Sequence, residues 1–167
     1  MIKDSGERQE FSTGAVRDVQ DGKGRPTLMP LREVATLLDT RLGGEPVIRR
    51  IAEFTETGNI FHLYHALGEF AKIAYSYQFE TMLLEVAIHY ADGCEKYGVD
   101  NWKKGIPVSR YLDSTIRHYL KYRRGDDDEP HDRAVCWNLL SACWTCNHKP
   151  ELNDYATNRE EQTTNEH

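Results

Sequence analysis

The sequence predicts an all-α fold, a bundle of about six helices with an extended N-terminal arm and a disordered acidic C-terminal tail. Three observations predict it. No segment of the 167 residues alternates apolar and polar side chains convincingly at period two. Apolar residues recur instead every three or four positions from Pro30 onward. Glycine and proline interrupt that pattern where helices start and stop.

Residues 1–28 read as the arm. They are polar, balanced at five charges of each sign, and carry Gly6, Gly14, Gly22, Gly24 and Pro26. Arg17, Lys23 and Arg25 stand among these glycines, so backbone N–H groups and cations can meet an anion together; a plain extended arm lying on the body is the alternative. No GxxxxGK[ST] phosphate loop is present. The helical domain follows over residues 29–150. Leu31, Val34, Ala35, Leu37 and Leu38 suit a first helix ending at Gly43-Gly44. Pro46 opens a second, which ends near Gly58. A third covers roughly Ile60 to Ile73, and a fourth about Tyr77 to Tyr97. Gly98 to Pro107 is a loop. Ser109 is expected to cap a fifth helix that Gly125 terminates. A sixth, with Asp126 to Asp128 leading in and Pro130 in its first turn, runs to about Cys146. Residues 151–167 form the expected tail, with five acids against Arg159.

Charge narrows the function classes. The chain carries 21 Lys and Arg against 27 Asp and Glu, and much of the excess lies in the tail. A duplex nucleic-acid surface needs clustered excess cations, so none is expected. No stretch approaches the roughly 20 apolar residues of a membrane span. Met1 to Glu10 is too polar for a secretory signal, and four cysteines without one read as reduced thiols, so a cytoplasmic protein is expected.

Polar groups fall in stripes. On the fourth helix Glu85, His89, Asp92 and Lys96 share an arc of about 60° at 100° per residue. Most of the remaining circumference is apolar, which predicts a buried helix whose narrow polar stripe faces a cleft. Two carboxylates and an imidazole there suit a divalent cation; a solvated face is the other reading. The fifth helix sets Asp113, Arg117, Lys121 and Arg124 on one side, suited to a phosphate-rich ligand or to open solvent. His118 lies elsewhere and reads as a core histidine. Glu129 and Asp132 form an ExxD pair, which with the Glu85 stripe makes a Mg²⁺ cage. His131-Asp132 also matches the HD dipeptide, a weak signal alone. Cys143, Cys146 and His148 resemble half a zinc site, and cysteines filling a helix face are the stronger reading.

Several strings in order carry a family resemblance: FSTGAVRD (11–18), GKGR (22–25), LMPL (28–31), LLEVAIHYADGCEKYG (83–98), NWKKGIP (101–107), YLDSTIRHYLKYRRG (111–125), DEPHDRAVCWNLL (128–140) and WTCNHKPEL (144–152). Together they resemble the dATP/dGTP diphosphohydrolase (MazZ-type) family of phage and prophage, related to the MazG-like all-α pyrophosphatases. Where MazG-like enzymes carry EExxE, this chain has Glu85, His89 and Asp92.

The resemblance implies Mg²⁺-dependent hydrolysis, with Mn²⁺ as substitute, of purine deoxynucleoside triphosphates to the monophosphate and pyrophosphate. The implied catalytic residues are Glu85, Glu129 and His131, and the implied metal ligands Glu85, His89, Asp92, Glu129 and Asp132. The implied substrate contacts are Arg17, Lys23, Arg25, Lys96, Asn101, Trp102, Arg117 and Lys121, with Tyr97 and Asn138 also available to the purine. A homo-oligomer in the host cytoplasm is implied as well. A non-catalytic nucleotide-sequestering protein is the alternative, and a helical interaction module the third.

Overall fold

The computed structural model describes residues 6–155. Six helices follow a short hairpin, in an all-α bundle. They are α1 (Leu31–Leu42), α2 (Pro46–Thr57), α3 (Phe61–Tyr75), α4 (Phe79–Tyr97), α5 (Val108–Arg124) and α6 (His131–His148). The hairpin pairs β1 (Arg8–Glu10) with β2 (Val16–Asp18) in antiparallel register, Gln9 opposite Arg17. Two three-residue strands thus stand where the sequence predicts an arm.

The first helices stop where the chain chemistry dictates. Gly43 and Gly58 close α1 and α2 in the left-handed region, which costs a residue without Cβ little. The Glu45 side chain caps α2 by accepting from Ile48 N–H at 2.9 Å, and its other oxygen accepts from Tyr119 Oη at 2.6 Å. One buried carboxylate therefore fixes α2 against α5. The core is built from Ile48, Ile51 and Phe54 of α2, Leu63 and Phe70 of α3, Leu112, Ile116 and Tyr119 of α5, and Leu139 of α6. Burying such a side chain is worth about 1.5–3 kcal/mol. Helix α6 is central and packs on α3, α4 and α5.

Three boundaries differ from the sequence expectation. Helix α5 starts at Val108, and Ser109 is not its cap; Asp154 accepts from Ser109 N–H at 2.9 Å. Residues 150–155 are accordingly packed: Asn153 is buried and the Tyr155 ring meets Phe54 edge-on at 5.6 Å. The expected tail therefore does not begin at residue 151; residues 156–167 lie outside the described part. Helix α6 begins only after Pro130, so Glu129 precedes the helix and is not one turn from Asp132 on its face.

Helix α4 also differs. Only Met82, Val86 and His89 are buried, while Leu83, Leu84 and Ile88 are exposed. The helix lies at the edge of the bundle, against α3 and α6, and does not run through its interior. Its inward face includes part of the predicted polar stripe, and its outward face is apolar. No helix among the described residues is long and apolar enough to cross a membrane.

Candidate functional site

The arm closes one side of a cavity of about 460 Å³, within the range of small-molecule sites. The hairpin is held by Asn101, whose Oδ1 accepts from Val16 N–H and whose Nδ2 donates to Val16 O, both at 2.8 Å. Thr13 Oγ1 donates to Gly105 O at 2.6 Å. Gly105 has φ +98°, which other residues rarely adopt, and a Cβ there would also displace the Leu152 and Lys149 side chains. Further along, Asp113 of α5 is fully buried. It accepts from Thr27 N–H at 2.9 Å, Thr27 Oγ1 at 2.8 Å and Gln20 Nε2 at 2.8 Å, and pairs with Arg25 at 3.4 Å.

Asn101 and Arg25, expected as substrate contacts, hold the arm in place here. Lys96 is likewise engaged, through an ion pair with Asp18 at 2.9 Å. Asp113 and Arg124 also leave the predicted cationic stripe, since Arg124 pairs with Asp126. The residues of α5 that line the cavity are Arg110, Ser114, Arg117, His118 and Lys121, an arc displaced from the predicted one.

The cavity collects cations. Arg17, Lys23, Arg110, Arg117 and Lys121 line it. Arg17 donates through Nη2 to Asn138 Oδ1 at 2.5 Å, and its guanidinium lies over the rings of Tyr111 and Trp137, 5.2 and 5.6 Å from their centroids. Its Nη1 is shut off from solvent and has no acceptor. Burial lowers the Arg17 pKa to about 10, leaving it charged at neutral pH. Burial also lowers the pKa of Lys23 and Arg117. No Asp or Glu among the described residues pairs with Arg17, Lys23 or Arg117, although Arg117 donates to Gly24 O at 3.0 Å. A buried cation without a counter-ion is costly, so Arg17, with Lys23 and Arg117 adding positive charge beside it, makes a wall that suits an anion.

An aromatic wall lies beside the cations. Tyr90, Tyr97, Trp102 and Trp137 line the cavity, and Trp102 meets Tyr90 edge-on at 5.3 Å. Trp137 Nε1 and His89 Nδ1 are buried without hydrogen-bond partners. Burial drives the His89 pKa down to about 4, so its ring is neutral at pH 7. Cavity-lining polar atoms left unpaired are where a ligand's donors and acceptors complete the pattern.

The predicted acids separate into two sets. Glu85 is ion-paired with Arg133. Asp132 accepts from Tyr75 Oη at 3.0 Å. Glu129 instead lines the cavity, with Oε1 at 3.7 Å from His118 Nδ1 and 3.8 Å from both His131 Nδ1 and Lys121 Nζ. Among the described residues, the triads with donor atoms within 4.8 Å of one another are His118–Glu129–His131 and Asp126–Asp128–His131. Neither contains Glu85, His89, Asp92 or Asp132, so the five expected ligands do not assemble into one cage. The cysteines join no such triad; Cys136 and Cys143 are core residues.

The sequence reading missed His118, Arg110, Asp128 and Trp137. The signal for His118 was present: it lies one residue from Arg117 and three from Lys121 on the same helix. Trp137 gave none, because an indole at helical spacing looks like any core residue.

Comparison with known proteins gives two matches. Residues 68–155 match the family described as dATP/dGTP diphosphohydrolase, N-terminal. A dATP/dGTP diphosphohydrolase of Salmonella phage PMBT28 is 32% identical over 75 residues, which are 42% of this chain and 26% of that protein. The match thus spans about a quarter of that relative's length. No solved structure matches. The family segment contains α4, α5 and α6, which supply most of the cavity wall, while the arm with Arg17 and Lys23 lies before it.

Proposed function

Since the chain belongs to the dATP/dGTP diphosphohydrolase N-terminal family, we propose that it binds a purine deoxynucleoside triphosphate in this cavity and hydrolyses it to the monophosphate and pyrophosphate. The observation that carries this reading is the set Arg17, Lys23 and Arg117, cations without carboxylate partners among the described residues, beside an aromatic wall in one cavity. The cations take the phosphates, and Trp102, Tyr97, Tyr90 and Trp137 take the purine.

Hydrolysis adds water across the α–β phosphoanhydride. The hydroxyl goes to one phosphorus, the bridging oxygen leaves with the other, and the remaining proton passes to a base. Charge neutralisation and leaving-group stabilisation fall to Arg17, Lys23, Arg117 and Lys121. The corner formed by Glu129, Asp128 and His118 is where water is activated. His131 stands behind it, nearly without solvent access, and orients that corner. Glu85, held by Arg133, is outside it. A resident Mg²⁺ cage needs several oxygen ligands in near-octahedral array, and the separated carboxylates do not fit one. Mg²⁺ enters instead as the counter-ion of the triphosphate.

The test is incubation with dGTP or dATP and Mg²⁺ or Mn²⁺, with pyrophosphate and monophosphate as readout. Release of both supports the hydrolase. The engagement of Glu85 and Asp132 elsewhere favours a second reading, a binder without turnover; nucleotide binding with no pyrophosphate released would select it. Neither binding nor release would overturn both. We also propose a homo-oligomer joined through the exposed Phe79, Leu83, Leu84 and Ile88 of α4.

A further inference from the structure

His118, Glu129 and His131 come from α5, the 125–130 turn and the start of α6. Their three nearest donor atoms form a triangle. His118 Nδ1 and His131 Nδ1 are 3.0 Å apart, and Glu129 Oε1 is 3.7 Å from the first and 3.8 Å from the second. The point equidistant from these corners lies about 2.0 Å from each, the bond length of zinc to imidazole nitrogen and to carboxylate oxygen. The side chains are 18%, 17% and 1% exposed for His118, Glu129 and His131, so the corner is enclosed but opens to the cavity through the first two.

The outer contacts fit the same use. His131 Nε2 lies 2.9 Å from Asp128 Oδ1. A carboxylate on the far nitrogen of a histidine holds the proton there and leaves the near nitrogen as a lone-pair donor. With Nε2–H given to Asp128, His131 Nδ1 is an acceptor, and in the apo protein His118 Nδ1–H donates to it. A cation at the centre of the triangle takes the place of that proton, which moves to His118 Nε2. The second triad, Asp126–Asp128–His131, lacks this character, because Arg124 already holds both oxygens of Asp126.

We propose that His118, Glu129 and His131 form a binding site for one first-row transition-metal dication of the Zn²⁺ or Co²⁺ type, with Asp128 as the outer partner of His131. Two imidazoles and one carboxylate favour such ions over Mg²⁺, which takes oxygen ligands. His118 and Glu129 line the same cavity as Lys121 and Arg117. Metal binding stands on the three donor atoms alone; any part the metal has in turnover rests on the nucleotide reading.

The test uses the full chain stripped of metal by chelator, with no nucleotide present. Co²⁺ is titrated by visible absorption and Zn²⁺ by calorimetry. One equivalent should bind, with the ligand-field bands of a low-coordinate nitrogen–oxygen site, and millimolar Mg²⁺ should not displace it. Asp128→Asn should weaken binding roughly 10- to 100-fold, the usual cost of losing an outer partner, and His118→Gln and Glu129→Gln by more. Circular dichroism confirms that each variant folds, and either ligand variant suffices. Four results would each overturn the proposal: no cobalt bands in the wild type, bands unchanged in both ligand variants, thiolate charge-transfer bands that place the ion on cysteine, or displacement by Mg²⁺ at equal concentration. Because nucleotide is absent throughout, failure here leaves pyrophosphate release to be judged separately.

Discussion

The two faces of charge in this protein differ in what answers them. Around the cavity, Arg17 is withdrawn from solvent with no carboxylate to meet it among the described residues, and Lys23 and Arg117 stand beside it without an ion pair of their own, Asp18 and Asp113 acting on them only from a distance. On the α4 side, Glu85 is paired with Arg133 and Asp132 accepts from Tyr75. In sequence the two sets are equally plain charged residues, Arg17 and Lys23 among the glycines of the arm and Arg117, Glu85 and Asp132 in or beside helical stripes. The second set is satisfied within the chain. The first is not, and on the reading proposed above it answers an anionic ligand; charge left unanswered in an enclosed place, more than charged residues as such, is what marks the candidate site.

That contrast predicts a strong asymmetry between the two glutamates. Glu129→Gln should lower pyrophosphate release by roughly 100-fold or more, because it removes the charge at the corner proposed to activate water. Glu85→Gln should change the rate by less than about threefold, the consequence of a half-exposed pair whose worth is about 0–1 kcal/mol. Steady-state rates of the two variants measure it, and equal losses would erase the distinction.

A different buried charge sharpens the comparison from the structural side. The side-chain hydrogen bonds of Asp113 all go to the arm, so Asp113→Ala should destabilise by about 3 kcal/mol and free residues 20–27 for proteolysis. Thermal melting and limited trypsin digestion read both effects. Arg117→Met leaves the arm contacts of Asp113 intact and should weaken nucleotide binding about tenfold, one charge-assisted bond. Lys96→Met should instead loosen the arm through Asp18, with a smaller change in affinity at saturating stability.

The smallest effect is on pH dependence. His89 is held neutral by burial, with its pKa near 4 against about 6.5 when unfolded. The unfolded chain therefore binds one more proton than the folded chain between those values, and stability falls as pH drops from about 6.5 toward 4. His89→Gln should flatten the melting temperature against pH by the share of one proton over that window. An unchanged slope would mean that this ring is already charged in the folded state.

How legible this was in the sequence varied with the range of the interaction. Helices α1 and α2 could be read almost to the residue, because Gly43, Pro46 and Gly58 act through local backbone geometry. The start of α6 could not, because the acidic run before it mimics a helix N-terminus, while Pro130 keeps the preceding residue out of the helix. The face of α5 was misjudged for a different reason. Asp113 looks like the head of a cationic stripe until residues 20–27, some ninety positions earlier, are seen to fold onto it. The burial of α4 was overestimated because an apolar circumference indicates what a helix can pack against, not how many neighbours reach it. Arg17, Lys23, Arg117, Lys121 and Trp102, expected as substrate contacts, do come together around one cavity. His118 reads as a core histidine because its partner His131 is thirteen residues away on another helix, although its place beside Arg117 and Lys121 on α5 was a signal.

The most direct measurement of the central claim is the affinity of the wild type, Arg17→Gln and Glu85→Gln for dGTP by calorimetry, in one buffer with Mg²⁺ present. Arg17 carries the buried cation with an unpartnered Nη1, so its loss should weaken binding roughly 10- to 100-fold, the worth of one or two charge-assisted hydrogen bonds, while Glu85→Gln binds as the wild type does. Equal affinity in all three proteins would contradict the account, because the uncompensated charge around the cavity would then have no bearing on the ligand.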